Sequence, residues 1–196
     1  MKRTLLSLTL LFAAALASAQ FDFPVSQPKF TLVSQPKIQE HLKPDDDQTK
    51  KVKSILGGIV QDDGNGHTFI QINGETDMDQ IDKDVIAVLD KVQLKLFSEL
   101  YVQRNGYTAL SRKEYAEKLS ITEEQKKKLE EVWQHHRDRI EKLFSDNGIG
   151  SRELKLEEED LTKLNAETSK EVEAILTKAQ IDQWKGFHGA KFDIGD

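Results

Sequence analysis

The side chains best suited to chemistry in this chain are its histidines and carboxylates, and their spacing decides against most uses. The histidines number five: His41, His67, His135, His136 and His188. His135 and His136 are neighbours, so on a helix they point about 100° apart and do not easily share a metal. Glu131 lies four residues before His135 and shares a helix face with it. Glu131 and His135 are thus half of a metal site at best, and a surface ion pair accounts for them more simply. No Glu-x-x-His occurs, which argues against a carboxylate di-metal centre. His136 falls on an apolar stripe and reads as a hydrogen-bonded core histidine.

The acidic loop Asp62-Asp63-Gly64-Asn65-Gly66 invites a calcium reading. With Gly66 as the turn glycine, the last ligand position falls on Ile72, where an EF-hand needs Glu. Only irregular cation binding is left open. Glu157-Glu158-Glu159-Asp160 is a charged first turn, favoured by the helix dipole. The chain has no Cys, no phosphate-binding loop and no Gly-x-Ser-x-Gly. Nothing therefore supports an enzyme, and no cofactor is expected.

What does recur is a device for starting helices. In a capping box, Ser, Thr, Asp or Asn accepts from the amide three residues on, and Gln or Glu at that position reaches back to the cap amide. Thr177 and Gln180 fit, with Leu176 and Ile181 as the flanking apolar pair. Asp90 and Gln93 fit with Leu89 and Leu94, and Thr122 and Gln125 fit after Ile121. Asp45 and Gln48, after Pro44, are the weakest copy. Each box predicts that one helix ends and another begins.

These boxes stand in register. Residues 38–56 align without gaps to 115–133, matching Gln48 to Gln125. Residues 82–97 align to 169–184, matching Gln93 to Gln180 and Phe97 to Trp184. Two matched pairs in the same order predict an internal repeat, 35–110 and 111–196.

The elements that carry the boxes follow from period and punctuation. All 4 prolines lie between Pro24 and Pro44, so the rest of the chain is free to be helical. Leu129, Val132, Trp133, His136, Ile140 and Leu143 make one helical stripe. Leu161, Leu164, Val172, Ile175 and Leu176 make a second, broken near Thr168. Joined through 146–151, they predict an antiparallel hairpin. Glycines between 57 and 74 suggest a small β-hairpin or a loop at 58–75. Residues 20–34 read as an extended N-terminal arm, and Ser34 as the cap of a helix with Pro36 in its first turn. Phe21, Phe23 and Phe30 on that arm have no stripe of their own. They suit docking on a neighbour or in the domain's own groove. The fold class is all-α.

Residues 1–19 read as a signal peptide: a basic Met1-Lys2-Arg3, an apolar run and Ala17-Ser18-Ala19. The chain is then exported, periplasmic or secreted, with no later segment long and apolar enough to span a membrane. The net charge is −6, and losing Lys2 and Arg3 makes it more negative. Nucleic acid is a poor partner for such a surface.

The stretches LVSQPKIQEHL, VLDKVQLKLF, LSITEEQKKKL and ILTKAQIDQWKGFHGAKF resemble the LTxxQ-motif proteins, the Spy/CpxP-type periplasmic helical family, and in particular its larger exported bacterial members. Only Leu176–Gln180 matches the motif in full. The resemblance implies a curved helical fold, monomeric or homodimeric. For some members it implies ATP-independent binding of unfolded clients, or envelope-stress and metal responses. The leading expectation is a non-enzymatic binding protein whose partners are unfolded or envelope proteins. A metal-binding or metal-sensing envelope protein and a structural or assembly component are the alternatives.

Overall fold

A computed structural model describes residues 26–57, 59–62, 68–70, 77–146 and 158–192. Residues 1–19, expected to be a signal peptide, the start of the expected arm with Phe21 and Phe23, His67, Glu157, residues 147–151 and most of 58–75 lie outside these residues.

The fold is all-α. In chain order the helices are α1 (Lys29–Val33), α2 (Pro36–Leu42), α3 (Asp46–Leu56), α4 (Met78–Ala87), α5 (Lys91–Asn105), α6 (Lys113–Lys118), α7 (Glu123–Asp146), α8 (Glu158–Ile175) and α9 (Lys178–Gly186). A 3-10 turn, Gly106–Ser111, joins α5 to α6. Strands β1 (Val60–Asp62) and β2 (Thr68–Ile70) pair antiparallel, with Gln61 opposite Phe69, within the segment expected to be a hairpin or loop.

The chain forms two compact units. The first holds residues 28–97. The second holds 98–192 together with Ser26 and Gln27. The division falls between Phe97 and Ser98, inside α5, and not at 110/111. Position 110/111 lies within the 3-10 turn.

In the first unit α1 and α3 both pack on α4. Phe30, Leu32, Ile38 and Val85 are fully buried there, and Phe97 nearly so. Residues 29–33 are therefore helix, not extended arm, and Phe30 docks into its own unit. The Phe30 amide donates to Asp82 Oδ1 at 2.9 Å, which fixes the start of α1. Ser34 does not cap α2. It closes α1, its hydroxyl donating to Phe30 O, and Gln35 takes the cap position before Pro36. Phe30 is apolar and three residues from Val33, so a helix turn buries both, which an extended arm would not do.

In the second unit α7 packs on α8, and the 3-10 turn packs on α6, α7 and α8. Gln125 of α7 meets Ile175 of α8, and His136 meets Thr168. Partner numbers fall along α8 as they rise along α7, so the pair is antiparallel, as the two stripes predict. Leu129, Val132, Trp133 and His136 are all buried. Thr168, where the second stripe looked broken, is 1% exposed and lies on that stripe. Fully burying each large apolar side chain contributes about 1.5–3 kcal/mol.

The two helices that precede a box without a break in pairing end in left-handed residues. Lys43 closes α2 at φ 48°, its amide reaching Gln39 O. Ser120 closes α6 at φ 51°, with Ser120 N–H on Glu117 O and Ile121 N–H on Ala116 O. That is a Schellman closure, in which glycine is usual because it has no Cβ. Ser120→Gly should therefore stabilise the chain by roughly 0.5–1 kcal/mol, the left-handed strain less the extra unfolded-state freedom. Thermal denaturation checks this; a lower midpoint for Ser120→Gly would contradict it.

Candidate functional site

Each of the four predicted boxes is formed. Asp45 accepts from the Gln48 amide at 2.7 Å, and Gln48 Oε1 accepts from the Asp45 amide at 3.0 Å. The same exchange joins Asp90 to Gln93, Thr122 to Gln125 and Thr177 to Gln180. α5 starts after Asp90, α7 after Thr122 and α9 after Thr177. Asp45, the weakest copy in sequence, is as complete as the rest.

The glutamines then do something the sequence did not foretell: they pair. Gln48 Nε2 donates to Gln93 Oε1 at 2.7 Å, and Gln93 Nε2 donates to Gln48 Oε1 at 3.0 Å. Each Nε2 also reaches a backbone carbonyl at the other's bend. Gln48 takes Val88 O at 2.9 Å, and Gln93 takes Leu42 O at 3.2 Å. The second unit repeats this atom for atom. Gln125 and Gln180 exchange bonds of 2.8 and 3.0 Å. Gln125 Nε2 takes Ile175 O at 3.0 Å, and Gln180 Nε2 takes Leu119 O at 3.2 Å.

In such a clasp both protons of each amide and both lone pairs of each Oε1 are used. The carbonyls it takes are orphans at the ends of α2, α4, α6 and α8. One glutamine thus starts its own helix and stops another. Gln183 Nε2 adds a bond to Lys118 O at 2.9 Å in the second unit.

Asp77 caps α4 in the same spacing, accepting from the Gln80 amide at 2.9 Å, and the sequence reading missed it. Gln80 turns outward to Asp84 Oδ1. The residue before Asp77 is Thr76, so the apolar neighbour that accompanies the clasping boxes is missing there.

His136 is the buried polar group of the α7–α8 interface, 3% exposed. Its Nδ1 lies 2.9 Å from Thr168 Oγ1, and Thr168 Oγ1 lies 3.0 Å from Leu164 O. The threonine's one proton goes to Leu164 O, so Nδ1 carries the ring proton and donates. Burial lowers the His136 pKa from 6.5 to about 4, helped by Arg139 and Arg137 and opposed by Glu171. Arg139 makes a two-pronged bond to Glu171, at 3.0 and 3.1 Å.

The aromatic residues gather around Trp184, 1% exposed, which stacks on Tyr107 and meets Tyr115, Phe187 and His188 edge-on. Trp133 and Trp184 are therefore core residues. Tyr107 is pushed up to about 12 by burial and by Glu173, which accepts its hydroxyl. Burial also raises Tyr115. Both phenols stay neutral.

Glu131 and His135 are exposed on α7. Among the described residues no three His, Asp or Glu side chains gather to hold a metal. Among the described residues the exposed large apolar side chains are Val92, 78% exposed, and Leu94, 42% exposed. Leu94 was expected to pack as the apolar partner of Leu89; instead it faces solvent beside the first clasp.

Two expectations follow. Gln125→Ala and Gln180→Ala should each cost about 1–2 kcal/mol, because each removes a cap and leaves half-buried helix-end groups without their partners. The double variant should cost less than the sum, by on the order of 1 kcal/mol or more; urea unfolding of the four chains measures this, and strict additivity would contradict the clasp. His136, neutral when folded and with a depressed pKa, contributes stability above pH 6.5 that is lost as the pH falls towards about 4. The loss should approach 3 kcal/mol in order of magnitude. His136→Gln should flatten stability across that window; an unchanged pH profile would contradict this.

No family model, curated protein or solved structure matches the chain.

Proposed function

We propose that the chain is an exported, non-enzymatic helical binding protein of the LTxxQ type, holding unfolded or envelope polypeptides without ATP. The observation that carries this reading is the pair of glutamine clasps. The pattern on which the resemblance rests is used in all four copies, for one purpose and with the same partners. No described helix is long and apolar enough to cross a membrane.

The binding surface we favour includes Val92 and Leu94, held rigid beside Asp90 and Gln93 by the first clasp. Exposed apolar side chains on a fixed helix end offer contact area at little ordering cost. The net charge of −6 favours clients in which basic and apolar residues alternate.

The full chain should suppress aggregation of a reduced, unfolded model client without nucleotide, at stoichiometric to several-fold molar excess. Val92→Ser with Leu94→Ser should weaken suppression several-fold at unchanged thermal stability. No suppression by the unsubstituted chain would reject the reading.

A further inference from the structure

The segment after α9 is held in an unusual way. His188–Phe192 is not helical. Gln103, on α5, fastens it with one carboxamide. Nε2 donates to His188 O at 2.5 Å and to Ala190 O at 2.6 Å, and Oε1 accepts from the Phe192 amide at 3.1 Å. Both amide protons are used, and all three partners are backbone atoms. Gln103 therefore reads a backbone and is indifferent to the side chains at 188, 190 and 192.

One position is selective. Gly189 sits at φ 59°, a conformation that other residues adopt only with strain. A Cβ there would also have to push aside the end of the Glu99 side chain, one turn before Gln103 on α5, so the left-handed backbone is what selects glycine. The segment accepted thus carries a glycine, preceded by a residue that, like His188, packs its ring edge-on against Trp184. Ala190 and Lys191 are exposed, so the segment lies on the surface and is open to exchange.

We propose that the face of α5 bearing Glu99 and Gln103 is a peptide-backbone site, occupied by the chain's own His188–Phe192, that accepts a glycine-containing segment of another polypeptide in its place. This gives a binding mode to the function proposed above. Its test does not depend on client protection, so the two fail separately. The tethered segment competes at an effective concentration in the millimolar range, so an outside peptide binds the unsubstituted chain only weakly.

Gly189→Ala should free the site while leaving Gln103 in place. A fluorescein-labelled peptide of residues 186–192 is titrated with the full chain and read by anisotropy. Gly189→Ala should bind it about tenfold or more tightly than the unsubstituted chain, since the internal competitor is gone. Gln103→Ala added to Gly189→Ala should abolish the gain, and so should alanine in place of glycine in the peptide. Amide exchange at Phe192 should speed up in Gly189→Ala and in Gln103→Ala alone, with amide exchange in the middle of α7 unchanged. Unimproved peptide binding by Gly189→Ala, unaltered binding on adding Gln103→Ala, or an unchanged Phe192 exchange rate would each overturn the proposal.

Discussion

A carboxamide has two donors and an acceptor oxygen with two lone pairs, and two carboxamides facing each other can satisfy all of them only in a few arrangements. Here Gln48 meets Gln93, and Gln125 meets Gln180, in the arrangement that leaves nothing over. The remaining valences go to a cap amide and to a helix-end carbonyl. Helix ends are where backbone groups lack partners, and burying them unpaired costs more than a normal hydrogen bond returns. A clasp removes that cost at two bends together. Each glutamine satisfies groups at both bends, so the two bends are energetically coupled.

The rest of each unit follows from fixing two bends against each other. In the first unit the bends after Leu42 and Val88 are tied, and α3 then lies on α4 with Val85 in the core. In the second, the bends after Leu119 and Ile175 are tied, and α7 lies antiparallel on α8. Farther along that pair His136 and Thr168 close the interface with one shared hydroxyl. Being neutral and buried, His136 makes the interface dependent on pH in a way the clasps are not. Arg139 and Glu171 lie nearby but are partly exposed, so their bond contributes less than about 1 kcal/mol.

Much of this was written in local patterns. A capping box needs only residues three apart, so Thr177 and Gln180, or Asp90 and Gln93, declare their helix starts without tertiary information. The α7 stripe was equally plain, because its buried residues keep one face. What could not be read was who pairs with whom. Gln48 and Gln93 are far apart in sequence, and nothing local to either names the other as its partner. α5 shows the other limit. Leu100, Tyr101 and Val102 are buried in succession, so the helix has no single apolar stripe. Residues 29–33 carry no apolar stripe that would mark a helix in the sequence. Their helix depends on the distant carboxylate of Asp82.

The clasps also bear on binding. A surface that holds a flexible client gains from being rigid itself, since ordering both partners would cost more. Val92 and Leu94, on which the proposed binding rests, stand in the first turn of α5, directly after the Asp90–Gln93 cap. The most direct test of the account is hydrogen exchange of the glutamine side-chain amides, followed by nuclear magnetic resonance. The Nε2 protons of Gln48, Gln93, Gln125 and Gln180 should exchange far more slowly than those of exposed Gln134. If those four exchange as fast as Gln134, the clasps do not hold the bends, and the account is wrong.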